Sequence, residues 1–143
     1  MTIAEARRRV SRAVDAFPEI RREAAEEMAP DVVAANRAQL MEGKDADGRD
    51  ISPGYSLFTR RRKQSKGQPA DRVTLFDTGV FQEGMFAEAD GDELVIDSRD
   101  GKSASLKEKY GDRIFGIGRE QSENLKRISV HIITNKIKEI TRF

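Results

Sequence analysis

The sequence predicts an α+β domain in which helices at both ends of the chain flank a small antiparallel β-sheet. Three observations support this class. Apolar residues recur at helical intervals over residues 1–42 and again over residues 122–143. Between these regions, Asp90-Gly91 separates two β-prone runs, which is typical of a hairpin. At 143 residues the chain has the length of a single domain, residues 1–143.

The helical N-terminal part, residues 1–42, is predicted to form two helices. Thr2 and Glu5 have the spacing of a capping box, and the apolar residues that follow predict a first helix from about Thr2 to Phe17. Pro18 suits the first turn of a second helix, because the first helical position needs no amide donor. Pro30 is expected to kink or split that second helix.

Residues 43–72 are predicted to form an extended basic loop, in which Gly, Pro, Asp, Ser and basic residues replace the helical pattern. A connection of about 30 residues is far longer than usual, and such loops tend to be functional or to become ordered on assembly. Its sharpest feature is a cation cluster, which comprises Arg60, Arg61, Arg62, Lys63 and Lys66. The cluster indicates contact with phosphates or with an acidic protein surface, and a solubilising loop is the alternative.

The five residues Leu75–Gly79 have two interpretations. Two apolar residues followed by Asp77-Thr78-Gly79 resemble the active-site turn of a retroviral-type aspartic protease, in which each half of a homodimer supplies one carboxylate. In the structural interpretation, the same three residues form the turn at the entrance of a hairpin. Asp77 and Thr78 would then bond to local backbone, and Gly79 would supply a positive φ. The scarcity of strand signals in the chain favours the structural interpretation.

The remaining part, residues 73–143, is predicted to hold a hairpin, a short helix and a C-terminal helix. The two strands are expected within Val80–Ala89 and Glu93–Ser98. Ser103–Tyr110 has the pattern of a short helix, and Gly111 is placed to end it.

The C-terminal helix is expected to begin near Ser122, which suits an N-cap. Its apolar residues cover a wider arc than a helix that touches one surface, so it is predicted to contact both its own domain and a second partner. Phe143 continues the same apolar pattern. The residues assigned to packing between subunits are Ile132, Ile133, Ile137 and Ile140.

Composition and spacing argue against most catalytic and metal-binding classes. A net charge of +1 gives no whole-molecule case for nucleic-acid binding, and the lack of Cys removes thiolate chemistry. Asp45, Asp47 and Asp50 do not match a calcium loop, since Gly48 comes too early. His131 is the single histidine and has no candidate triad around it. We therefore expect no catalytic residue, no cofactor, no metal and no membrane-spanning segment.

Taken in order, several short segments resemble the phage virion-morphogenesis or tail-completion proteins, which are small neck components of tailed phages. That family has a helical N-terminus, a Gly-x-Asp-x-Asp-Gly segment, a Pro-containing stretch, basic residues, then Leu-x-x-Thr-Gly and a hairpin. The matching residues are Gly43-Lys44-Asp45-Ala46-Asp47-Gly48, Ile51-Ser52-Pro53-Gly54-Tyr55, Thr59 to Lys63, Leu75-Phe76-Asp77-Thr78-Gly79 and Lys109-Tyr110-Gly111.

The resemblance implies a non-enzymatic structural protein. It implies a ring, often of six copies, that joins the DNA-filled head to the tail or terminates the tail tube. The expected partners are other copies of this chain and other neck, connector and tail proteins, with non-specific contact to packaged DNA. The expected location is the virion, and the host cytoplasm during assembly. Two alternatives stay open: an aspartic protease homodimer through Asp77, and a small module that binds the DNA backbone through the cation cluster.

Overall fold

The computed structural model describes residues 1–91 and 93–142, and the predicted α+β class is confirmed in them. Among the described helices, none combines the length and apolar character needed to cross a bilayer. The helices are α1 (Ile3–Met41), α2 (Leu57–Ser65), α3 (Val80–Glu83), α4 (Ser103–Tyr110) and α5 (Arg119–Thr141). The strands are β1 (Met85–Asp90) and β2 (Glu93–Ser98), and a 3-10 turn covers Asp112–Ile114.

The N-terminal part forms one helix, so the prediction of two is wrong. α1 continues from Ile3 to Met41 through Pro18 and Pro30. A proline removes one amide donor from a helix, but the neighbouring turns can still pack. In α1 the turns on both sides of each proline bury one face, and this packing holds the helix together. The buried residues are Ala13, Ile20, Ala24, Met28, Val32, Val33, Asn36 and Leu40.

The capping box at the start of α1 is confirmed. The Thr2 hydroxyl accepts a hydrogen bond from the Glu5 amide at 3.1 Å, and the Glu5 carboxylate accepts one from the Thr2 amide at 2.7 Å. Two of the amides that a helix N-terminus leaves without partners are therefore satisfied.

Residues 43–72 are not one extended loop, because they include α2. Ser56 caps this helix by accepting a hydrogen bond from the Thr59 amide at 3.2 Å. The rest of the segment is anchored to the domain within the single chain. Ile51 is buried in the main core, and the Ala46 amide donates to the Arg113 carbonyl at 2.8 Å. Helical periodicity is hidden in the sequence because the one buried residue of α2 is a lysine.

The hairpin is confirmed, but its first strand begins later than predicted. The amides of Glu83 and Gly84 donate to the carbonyls of Gly79 and Val80, and these bonds close one helical turn, α3, before the strand. β1 then pairs antiparallel with β2, from Met85 opposite Ser98 to Asp90 opposite Glu93. Gly91 in the connection has a φ of 60°, whereas Asp92 lies outside the described residues.

Strand alternation gives the sheet two different faces. The inner face packs against α1 and is apolar apart from one serine; it comprises Met85, Ala87, Ala89, Leu94, Ile96 and Ser98. The outer sheet face carries carboxylates and two apolar side chains; it comprises Phe86, Glu88, Asp90, Glu93, Val95 and Asp97.

The core is divided into two adjacent clusters. The main cluster joins α1 to the segments on either side of α2, and its buried members are Val33, Leu40, Ile51, Val73, Leu75, Phe81, Met85 and Ile114. The second cluster lies between α1, α5 and β2, with Met28, Val32 and Leu125 buried and Leu94, Ile96, Ile117 and Ile132 packed against them.

The C-terminal elements agree with the predicted types. α4 ends at Gly111, which has a φ of 92°. α5 begins at Arg119, not near Ser122, because the Ser122 amide already donates to the Gly118 carbonyl at 2.9 Å. Phe143 lies outside the described residues.

A buried amide side chain fastens the chain before α5 to α1. Asn36 is 0% exposed, donates to the Ile114 carbonyl at 3.0 Å and accepts from the Gly116 amide at 2.9 Å. One helical turn further on, Gln39 donates to the Gly116 carbonyl at 3.1 Å and accepts from the Gly118 amide at 2.8 Å. These bonds set the point at which α5 begins.

Candidate functional site

The cation cluster lies on and just after α2, and its members face in different directions. Lys63 is buried, Arg62 and Lys66 contact Asp77, and Arg60 and Arg61 are exposed without an ion pair in the described part of the chain. Helical geometry causes this division, because 3.6 residues per turn point successive side chains about 100° apart around the helix axis. A common contact surface of all five cations is therefore not formed.

Lys63 is wrongly predicted as a contact residue, since only 6% of it is exposed. Its ammonium donates to the Phe76 carbonyl at 2.5 Å and to the side chain of Gln68 at 3.5 Å. The same ammonium lies 4.8 Å from the centre of the Tyr55 ring. A buried charge needs such partners, because burial without them is costly. Lys63 thus fixes α2 to the segment that precedes α3.

Asp77 receives two cations from the α2 region. Lys66 Nζ lies 2.6 Å from Oδ1, and Arg62 Nη2 lies 3.1 Å from Oδ2. The hydrogen bond from Lys66, with the charges of Lys66 and Arg62, holds the pKa of the Asp77 carboxyl below its usual range. An aspartic protease needs a carboxyl pair that shares one proton. The geometry at Asp77 favours the ionised form instead.

Asp77, Thr78 and Gly79 do not form the entrance of the hairpin, contrary to the prediction. They precede α3, and Gly79 is its N-cap with a φ of 93°. A Cβ on Gly79 would lie 3.2 Å from the ring of Phe76, so a side chain has little room. The Thr78 hydroxyl lies 3.5 Å from the Val80 amide. The positive φ is confirmed at Gly79, but it serves a helix and not a strand.

Side chains satisfy the backbone of the irregular segment 74–79. The Thr74 carbonyl accepts from Gln82 at 2.9 Å, and the Asp77 carbonyl accepts from Gln68 at 2.8 Å. Leu75 has a φ of 54°, a left-handed conformation that costs a non-glycine residue about 1–2 kcal/mol. Burial of Leu75 in the main core offsets this strain. The segment is therefore a rigid support for α2.

The outer α2 face combines apolar and basic side chains. Leu57 is 63% exposed and Phe58 is 74% exposed, and Arg61 follows them by four and three residues on the same side of the helix. Arg60 lies beside them and is also exposed. Leu57 and Phe58 were not predicted as contact residues, although two adjacent large apolar residues in a basic segment are a detectable signal.

A second exposed surface lies where α1 and α5 run antiparallel. Lys136 on α5 pairs with Glu23 on α1 at 3.4 Å, and Arg9 near the start of α1 donates to the Thr141 carbonyl at 3.5 Å. Between these helices is a groove with a volume of about 410 Å³, the α1–α5 groove. Its lining residues are Val10, Ala13, Val14, Phe17, Ile137 and Thr141.

The isoleucines predicted to pack between subunits are half-buried within the single chain. Ile132 packs against the second core cluster, and Ile137 lines the α1–α5 groove. Ile133 lines a further groove between α1, the hairpin and α5, and Ile140 is also half-buried. Ile132, Ile133 and Ile137 therefore lie beside α1 of the same chain, and the two grooves are open to another molecule.

Residues 1–91 and 93–142 bring together no group of three or more His, Cys, Asp or Glu residues that could hold a metal ion. Comparison with protein-family models, with curated proteins and with solved structures gives no match for this chain.

Proposed function

We propose that this chain is a structural subunit of a phage neck and assembles as a ring of identical copies between head and tail. The observation that carries the proposal is the placement of its large exposed apolar residues. Two groups of them lie on separate elements: Val10, Val14 and Phe17 on α1, and Leu57 and Phe58 on α2. Single exposed apolar residues are ordinary, whereas grouped ones mark contacts with other molecules.

The resemblance to tail-completion proteins supplies the identity of the assembly. Residues of the segments that resemble the family end a helix, enter the core or cap a helix in this chain. Gly43 ends α1 with a φ of 75°, Ile51 enters the main core, and Gly79 caps α3. A small domain whose core is divided into two clusters also gains stability when copies cover each other's apolar surface.

The protease alternative is disfavoured by the surroundings of Asp77. Its two carboxylate oxygens are each engaged by a cation, at 2.6 Å and 3.1 Å. Two such carboxylates brought together in a homodimer would each carry their own counterions, so neither would need to take up a shared proton. The Asp77 carboxylate is better suited to holding α2 in place.

The alternative of a free-standing DNA-binding module is also weaker than the ring proposal. Of the five predicted contact cations, only Arg60 and Arg61 remain unpaired and exposed in the described chain. Two cations release few counterions, so one copy would bind a DNA backbone weakly at physiological salt. A ring multiplies this pair by the number of subunits, which makes DNA contact a property of the assembly.

The proposal is tested by measuring the mass of the purified chain across a concentration series and imaging the product by electron microscopy. The expected result is a closed ring of constant subunit number, and its incorporation into particles in a phage whose own copy has been deleted. A chain that stays monomeric at every concentration and does not restore particles would overturn the proposal.

A further inference from the structure

We propose that the contact between neighbouring copies is head-to-tail and places the outer α2 face of one copy on the outer sheet face of the next. This inference rests on the proposed ring and names the two surfaces that would form it. Both surfaces are exposed. The outer α2 face carries Leu57 and Phe58 bordered by positive charges, and the open half of the outer sheet face carries Val95 bordered by negative charges. The two signs are opposite.

The outer α2 face is the basic partner. Leu57 and Phe58 form its apolar centre, and Arg60 and Arg61 border it. Neither arginine makes an ion pair in residues 1–91 and 93–142, so both guanidinium groups are available to carboxylates. Arg62, Lys63 and Lys66 hold the opposite side of the helix against the domain. The face is therefore presented by a helix that is fixed in position.

The outer sheet face is the acidic partner, and its half nearest the hairpin turn is the part left open. Val95 is 44% exposed there, and its cross-strand neighbour is Glu88. Asp90 and Glu93 form the next pair, and none of these three carboxylates makes an ion pair among the described residues. The far half of the face is already occupied, because Lys107 Nζ lies 3.4 Å from the Asp97 carboxylate and Arg99 covers the Phe86 ring.

The charges decide which occupant fits. Two copies of the outer α2 face repel each other, and so do two copies of the outer sheet face, whereas one of each attracts. Within one chain, no hydrogen bond or ion pair of the described residues joins α2 to either strand. The complementary faces are therefore free to meet across two copies. Contact between two different patches is heterologous, and repetition of such a contact closes a ring or extends a filament.

The decisive experiment uses the absence of cysteine from the chain, because introduced thiols are then unique. Phe58→Cys and Val95→Cys are combined in one chain, assembled, and treated with a short bis-maleimide. The expected product is a ladder of covalent multimers that ends at the ring size. Each single variant alone should give no ladder, and an equal mixture of the two single variants should give covalent dimers. A double variant that assembles but yields no multimers above the single-variant background contradicts the proposal.

Charge reversal provides a second measurement that does not depend on thiol spacing. Arg60→Glu with Arg61→Glu should weaken assembly by on the order of tenfold or more, and Glu88→Lys with Glu93→Lys should do the same. Combining all four changes should restore most of the loss, because the attraction is re-formed with reversed signs. The control is Arg119→Glu, because Arg119 is exposed at the start of α5, pairs with Glu123 of the same helix and belongs to neither face.

The outcomes separate this inference from the proposed function. Rings that form, cross-link between positions 58 and 95, and recover in the fourfold variant support both. Rings that form while all charge variants assemble normally and no cross-link appears overturn the head-to-tail contact and leave the ring intact. A chain that remains monomeric throughout overturns both, and circular dichroism of each variant establishes that it is folded.

Discussion

Lys66 Nζ lies 2.6 Å from Oδ1 of Asp77, and this ion pair connects the end of α2 to the segment that precedes α3. Arg62 reaches the other carboxylate oxygen from the preceding turn of α2. A triplet that resembles a catalytic turn therefore serves to position a helix. The same pairing removes two cations from the predicted contact surface, so one local structure changes the interpretation of both features.

Replacement of Asp77 by Asn should loosen α2 without unfolding the domain. Asn keeps the size of the side chain but removes the charge that both cations share. Amide hydrogen exchange is expected to quicken in α2 and in residues 66–68, while the amides of α1 and the sheet keep their protection. Asp71→Asn is the matched control, because its carboxylate is exposed and, among the described residues, pairs with the adjacent Arg72 alone. Equal exchange in the two variants would contradict a positioning role for Asp77.

Acid should release the same contacts. The pKa of Asp77 is lowered below its ordinary value of 3.8 in the folded chain, chiefly by the hydrogen bond from Lys66. The pKa of Asp47 is lowered chiefly by the hydrogen bond from Arg113, and the pKa of Asp97 is lowered chiefly by the hydrogen bond from Ser103. A lowered pKa means that the unfolded chain binds more protons, so the stabilisation is present above about pH 4 and declines as the pH falls through the folded pKa.

The measurement is urea unfolding at a series of pH values between neutrality and pH 2.5. In the wild-type chain, the urea concentration at the unfolding midpoint is expected to decrease once the pH is lowered past about 4. In Asp77→Asn this decrease should be less steep. The Asp71→Asn variant should follow the wild-type profile. If Asp77→Asn and the wild type show the same dependence on pH, then the Asp77 contacts contribute no measurable stability.

Local patterns explain the parts of the fold that sequence predicted. Thr2 and Glu5 define the start of α1 within four residues, Asp90-Gly91 locates the hairpin, and Gly111 ends α4. Each depends on neighbours in the chain. The continuity of α1 through its prolines depends instead on tertiary packing, which no local pattern contains.

The sequence predicted which cations belong to the site, but not how the fold arranges them. The cation cluster was visible, yet its division requires the position of Asp77, which lies eleven residues from Lys66. α2 itself was missed because Lys63 occupies the position where an apolar residue would reveal the helical period. Asn36 gave no signal at all, since its partners at Ile114 and Gly116 are far along the chain.

Asn36→Ala should destabilise the whole domain. The substitution leaves the Ile114 carbonyl and the Gly116 amide without their partner, and a buried group left unsatisfied costs about 1–3 kcal/mol. The loss is expected in the free energy of unfolding measured with urea. Asn135→Ala is the control, because Asn135 is exposed on α5 and its side chain hydrogen-bonds to His131 of the same helix. Its effect should stay within about 0.5 kcal/mol.

Gly43→Ala and Gly48→Ala form a matched pair that separates backbone strain from crowding. The two glycines have φ values of 75° and 77°, so alanine is strained at both. A Cβ on Gly43 would lie 2.7 Å from the Cβ of Arg72, whereas nothing lies within 4 Å at Gly48. Gly48→Ala should therefore cost about 1–2 kcal/mol and Gly43→Ala about 1–3 kcal/mol more. Equal losses would show that Arg72 moves away without cost.

The two exposed arginines of α2 should act on assembly, and the two paired cations should act on stability. Arg60→Ala with Arg61→Ala removes charges that make no ion pair in the described chain, so hydrogen exchange in α2 is expected to stay at wild-type rates. Assembly and particle yield should nevertheless fall by on the order of tenfold, because the outer α2 face loses its charge.

Arg62→Ala with Lys66→Ala changes the same net charge but removes the contacts to Asp77. Amide hydrogen exchange in α2 should quicken. Assembly should decrease only to the extent that displacement of α2 moves the outer α2 face. Addition of Asp77→Asn to this variant should cause no further loss, since its partners are already gone. If both double variants lower assembly and quicken exchange to the same extent, then the five cations act as one group and the division at Asp77 has no functional meaning.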